Sequence, residues 1–96
     1  MKAREFEQKA KAIAGNTEHF KLYTELTEHN GHDVCEIHLY MTDPWGNDDM
    51  VFATSNNGDR ITDMLLLNEL KERLKMFKEF AQKHYDYERR IAIQTA

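Results

Sequence analysis

At 96 residues the chain suits one domain, in which folding hides roughly 60–65% of the surface that the unfolded chain exposes. An apolar share of 41% and a charged share of 31% exclude a disordered tract, and no apolar run nears the ~20 residues of a membrane span. The net charge of −4 is unevenly spread: residues 1–16 carry +2, residues 60–96 carry +2, and residues 17–59 carry −8.

In that middle stretch Lys21 is the one Lys or Arg, set against Glu18, Glu25, Glu28, Asp33, Glu36, Asp43, Asp48, Asp49 and Asp59. Such a field steers basic partners and opposes direct nucleic-acid binding. The opening stretch is charged throughout and has no apolar signal-peptide core. A single cysteine, Cys35, leaves no intrachain disulfide to form. Both features point to a cytoplasmic protein.

The first element is a helix. Ala3, Phe6, Ala10 and Ile13 recur at helical spacing, and Gly15 is a natural stop. From His19 the period becomes two. Phe20, Leu22, Thr24 and Leu26 alternate with Lys21, Tyr23, Glu25 and Thr27, and Cys35, Ile37, Leu39 and Met41 alternate with Val34, Glu36, His38 and Tyr40. Between these runs lies Asn30-Gly31, a dipeptide suited to the two positive φ angles of a type I′ turn. A two-residue loop there pairs His29 with His32, Leu26 with Cys35, Thr24 with Ile37, Leu22 with Leu39 and Phe20 with Met41. The mainly apolar pairs then share one face, and a slip of one residue would scatter them.

"TDPWGNDD" interrupts the pattern, and "MVFATS" resumes it as a third strand with Met50, Phe52 and Thr54 inward. After "SNNGDR" a long helix is expected from about Arg60 to His84, capped by Asp59 or Thr62. Its apolar stripe is Leu66, Leu67, Leu70, Leu74, Phe77, Ala81 and Tyr85. Ile91 and Ile93 alternate in the tail, which favours a short final strand over residues 86–96. The expected fold is therefore α+β, one domain over residues 1–96: helix, three-stranded antiparallel meander, long helix and short last strand.

Few residues invite chemistry. "EHNGHD" places His29 and His32 in one cross-strand pair and Glu28 and Asp33 in the next, on the opposite face. One zinc ion, whose ligands lie about 2 Å away, would not reach all four. "DPWGNDD" lacks the EF-hand spacing and its bidentate Glu. Trp45 there either closes the end of the core or stands out as an aromatic anchor among acids. Cys35 falls on the inward face and is expected to be buried and inert. There is no phosphate-binding glycine loop, nucleophile motif or dinucleotide fingerprint, so neither a cofactor nor an enzymatic activity is expected.

The outward sheet face is more informative. Register sets Glu25 opposite Glu36, Tyr23 opposite His38 and Lys21 opposite Tyr40. Like charges directly opposite each other are mildly unfavourable, which suits a face that meets cations. The expected partner-binding set is Tyr23, Glu25, Glu36, His38, Tyr40, Asp43, Trp45, Asp48 and Asp49. Its partner would be a basic protein surface, such as that of a nucleic-acid-binding complex, blocked by docking without membrane or direct nucleic-acid contact. In size and charge the chain is similar to small acidic inhibitors encoded by phages and mobile elements, anti-CRISPR proteins among them; the likeness rests on no motif. The alternative expectation is a homodimer or larger oligomer through Leu65, Met76 and Phe80, which lie off the main stripe of the long helix.

Overall fold

The computed structural model describes residues 1–15 and 19–95, with residues 86–95 as backbone only; Glu18 and Ala96 lie outside the described residues. Helix α1 (Ala3–Ala14) precedes strands β1 (Phe20–His29), β2 (His32–Thr42) and β3 (Asp48–Ser55), and helix α2 (Arg60–Thr95) ends the order. The strands form one antiparallel sheet in the order β1-β2-β3.

Each element follows from its local pattern. α1 buries Ala3, Phe6, Ala10 and Ala14 along one stripe. Gly15 ends it at φ 57, a left-handed angle that costs glycine nothing, and its N–H donates to the Lys11 carbonyl at 2.9 Å. The β1–β2 register is the expected one throughout, from His29↔His32 to Phe20↔Met41. Asn30 at φ 52 and Gly31 at φ 79 supply the two positive angles of the turn.

No atom outside the turn lies within 4 Å of where a Gly31 side chain would start, so a substitution there is opposed by torsion alone. Gly31→Val should lower the free energy of unfolding by roughly 1–3 kcal/mol, because a β-branched residue resists positive φ. Urea denaturation reads this directly. An unchanged midpoint would mean that the hairpin closes elsewhere.

β3 departs from the expected alternation. Leu39 pairs with Phe52, but Tyr40 pairs with Met50, so Val51 is an extra residue in a bulge. The bulge turns Met50 to the outer face, where it is 54% exposed, rather than inward with Phe52 and Thr54. Val51 instead packs partly against the core.

α2 starts at Arg60 under an Asp59 cap. The Asp59 carboxylate accepts from the Thr62 N–H at 3.0 Å and from its hydroxyl at 2.7 Å. These bonds hold the Asp59 carboxyl below its usual pKa. The helix then runs to Thr95, so the expected final strand does not form. The sequence has no Gly or Pro after Gly58 to stop the helix, and the Ile91/Ile93 alternation does not override that continuity.

Both helices pack on one face of the sheet. Phe6 and Ala10 of α1 and Leu67, Leu70, Leu74, Ala81 and Tyr85 of α2 enclose Phe20, Cys35, Ile37, Leu39 and Met41. At one end of this core sits a buried polar cluster. The Met1 ammonium lies 2.9 Å from the Asp63 carboxylate and donates to the Gly58 carbonyl at 3.1 Å. The second Asp63 oxygen accepts the Asn57 N–H at 2.7 Å. Asn56 bridges the cluster to the sheet: its side-chain oxygen accepts the Cys35 N–H at 2.7 Å, and its amide donates to the Met1 carbonyl at 3.1 Å. Every buried charge and amide there has a partner, which is what burial of polar groups requires.

Candidate functional site

Because both helices cover the inner face, the outer face of the sheet is open. Alternation along β1 and β2 places Lys21, Tyr23 and Glu25 beside Tyr40, His38 and Glu36 on it. Tyr23 and Tyr40 meet edge to face with ring centroids 5.4 Å apart, a diagonal contact across the two strands. His38 joins two neighbours: its Nε2 is 3.6 Å from a Glu36 oxygen and its Nδ1 is 3.4 Å from the Met50 sulfur. Met50 is thus a member of this face that the plain alternation of "MVFATS" hides. Glu25 and Glu36 are register partners, as expected. The face therefore combines a packed aromatic pair, a thioether and two facing carboxylates.

The acids at its edge divide into distinct roles. Asp48 is already engaged: Lys21 reaches it at 3.1 Å, and the Thr42 hydroxyl donates to its other oxygen. The Thr42 hydroxyl foremost, then Lys21, holds the Asp48 carboxyl below its ordinary pKa, and Asp48 in turn raises that of Lys21. Asp49 pairs with the buried Met41, so alternation sends it to the opposite side of the sheet from Asp48. The two aspartates do not act as one acidic unit.

Asp43 organises the β2–β3 loop. One carboxylate oxygen accepts the N–H groups of Trp45 and Asn47, each at 2.9 Å, and the other accepts the Asn47 amide at 3.1 Å. These bonds, led by the Asn47 N–H, hold its pKa down. Trp45 is thereby carried outward at 65% exposure and does not close the core. The loop is a presented aromatic on an internally bonded turn.

The hairpin-tip histidines are exposed and remain register partners, with Glu28 and Asp33 alternating to the other face. Among the described residues no group of three or more His, Cys, Asp or Glu side chains could hold a metal ion. Cys35 is fully buried, and burial foremost pushes its thiol up to about 11, which leaves little thiolate at neutral pH. The α2 flank is bare: Leu65, Met76 and Phe80 are 63%, 51% and 44% exposed. α1 does not cover it, because α1 lies along the other side of α2, where Ile13 lines a groove with Asn68, Lys71 and Lys75.

Sequence reasoning located the outer face but missed Met50, the Lys21–Asp48 bridge and the Met1–Asp63 cluster. The bridge joins residues 27 apart in sequence, and the cluster joins residues 62 apart. Among the described residues no helix is long and apolar enough to cross a membrane. No protein-family model, no curated protein and no solved structure matches the chain.

Proposed function

We propose that this chain is a small non-catalytic binding protein whose open sheet face docks on a basic protein surface and blocks it. The observation that carries this reading is the uncovered face itself. There the Tyr23–Tyr40 pair supplies rigid contact area beside the facing carboxylates of Glu25 and Glu36. Facing carboxylates repel in the free protein and become paired acceptors when Arg or Lys enters between them. Trp45 adds area at the rim, while Asp43 and Asp48 shape the edge more than they offer free charge. The face is an open sheet rather than a water-excluding cleft, and the one thiol is buried away from it, which favours binding over catalysis. A basic surface that otherwise holds nucleic acid has the complementary chemistry. Inhibition of such a surface, in the manner of phage-encoded anti-defence proteins, is the role we assign.

The test is the double variant Glu25→Gln/Glu36→Gln in a pull-down from the native host, followed by affinity measurement on the captured basic protein. The free variant should be as stable as the wild type or slightly more so. Its affinity should fall at least roughly tenfold, and wild-type association should slow as salt rises. Unchanged affinity and salt dependence would make this face ordinary solvated surface.

A further inference from the structure

A groove of about 680 Å³ follows the seam between α1 and α2, on the helical side of the molecule and away from the outer sheet face. Its base is apolar: the buried Leu74 of α2 and the half-buried Ile13 near the end of α1. Lys71, Lys75 and Lys78 line it and stand exposed. At 3.6 residues per turn these three fall within about 60° of the α2 circumference, on the arc next to Leu74. Glu72 and Glu79 border the groove too, but the same rotation puts them beyond the lysines, on the edge away from Leu74. Lys71 and Lys75 are i,i+4 neighbours and Lys75 and Lys78 are i,i+3 neighbours, so the three repel one another in the free protein. The ion pairs of α2 are made by Arg60, Asp63 and Arg73. Among the described residues none of the three lysines has a carboxylate within ion-pair distance.

We propose that this groove binds an acidic peptide segment of a partner protein, with carboxylates on Lys71, Lys75 and Lys78 and an aliphatic side chain on the Ile13–Leu74 base. Charge complementarity selects an anion: each carboxylate that enters turns a repulsion between lysines into a shared attraction. The shape of the basic band selects the kind of anion. From Lys71 to Lys78 it is only about 10 Å long, the span of a few residues of extended peptide. A nucleic-acid backbone is longer and wider, and would meet Glu72 and Glu79 on the outer edge with like charge. It also has no aliphatic group to place on Ile13, whereas a peptide supplies one beside its carboxylates. The lysine stems continue the apolar base upward, so the segment is held by contact area as well as by charge. The groove lies on the helices, and its role stands or falls separately from the docking of the sheet.

Fluorescence polarisation with the purified full chain at low ionic strength tests the proposal. The probes are a labelled Glu-Glu-Leu-Glu-Glu peptide, its Gln-Gln-Leu-Gln-Gln and Glu-Glu-Ser-Glu-Glu counterparts, and a labelled single-stranded oligonucleotide. The first peptide should bind, and its affinity should fall as salt rises. The Gln peptide should not bind, and the Ser peptide should bind several-fold more weakly because it leaves the apolar base uncovered. Lys71→Gln/Lys78→Gln should weaken the first peptide at least roughly tenfold with unchanged circular dichroism, since both side chains are exposed and Gln suits a helix. Glu25→Gln/Glu36→Gln, on the outer sheet face, should retain the binding. No binding of the first peptide, equal binding of the Gln or Ser peptide, tighter binding of the oligonucleotide, or an unchanged affinity in the lysine variant would each overturn it. So would a wild-type dimer in sedimentation that the lysine variant dissolves, because the groove would then belong to a second copy of the chain.

Discussion

Replacing Asp63 with Asn should lower the free energy of unfolding by about 3–5 kcal/mol, the usual cost of removing one partner from a buried ion pair. Asp63 is fully buried, and so is the Met1 ammonium 2.9 Å away. Asn matches the shape of Asp and can still accept the Asn57 N–H, so the substitution isolates the charge. Its amide would face the ammonium, donor against donor, with no water to relieve the contact. The pair as a whole need not be a net source of stability, since burying both charges has its own large desolvation cost. What the variant reads is the penalty of the ammonium left behind. Denaturant unfolding is the measurement, and a midpoint within error of the wild type would show that the ammonium does not occupy this cluster. The loss is large against the 5–15 kcal/mol that domains typically possess, so a partly unfolded population at 37 °C is an expected companion result.

Phe6→Ala should cost a similar amount, about 3–5 kcal/mol, for a different reason. Phe6 is fully buried and is the largest side chain that α1 contributes to the core, with Ile13 packed partly against its edge. The other buried positions of α1 are Ala3, Ala10 and Ala14, which fill little space. Truncation leaves a cavity that small neighbours cannot close, between a short helix and a sheet that is otherwise intact. A helix of 12 residues is marginal without packing, so α1 should lose order before the sheet does. Hydrogen exchange resolves this: amides of α1 should lose protection more than those of β2. Equal loss throughout would mean that α1 and the sheet form a single cooperative unit.

The periodicities and the Asn30-Gly31 turn determined most of the architecture. Period-two alternation, a turn that needs two positive φ angles, and a register in which all the mainly apolar pairs share a face are independent constraints with one solution. The same alternation made the outer face legible, because once Cys35, Ile37 and Leu39 face inward, Glu36, His38 and Tyr40 must face outward. The helical spacing of Leu67, Leu70 and Leu74 likewise located the buried side of α2 and, by elimination, the bare flank at Leu65 and Met76.

Tertiary structure decided what had no local signature. "MVFATS" alternates equally well with or without an extra residue, and only pairing against β2 sets Val51 as a bulge and sends Met50 to the outer face. Asp63 reads as an ordinary polar residue in the first turn of a helix until the chain brings Met1 beside it. Asp48 reads as free acid until Lys21 of β1 reaches across to it, so the charge sum over residues 17–59 overstates what the sheet offers a partner. The end of α2 departs from the expected strand because alternating isoleucines suit a strand only where a sheet edge is there to receive it. With no Gly or Pro to break the helix, backbone hydrogen bonds were satisfied locally by continuing it to Thr95. Patterns of period and turn are local and survive in the sequence, whereas the partners of a buried charge, a bulge and a salt bridge are chosen by residues far along the chain.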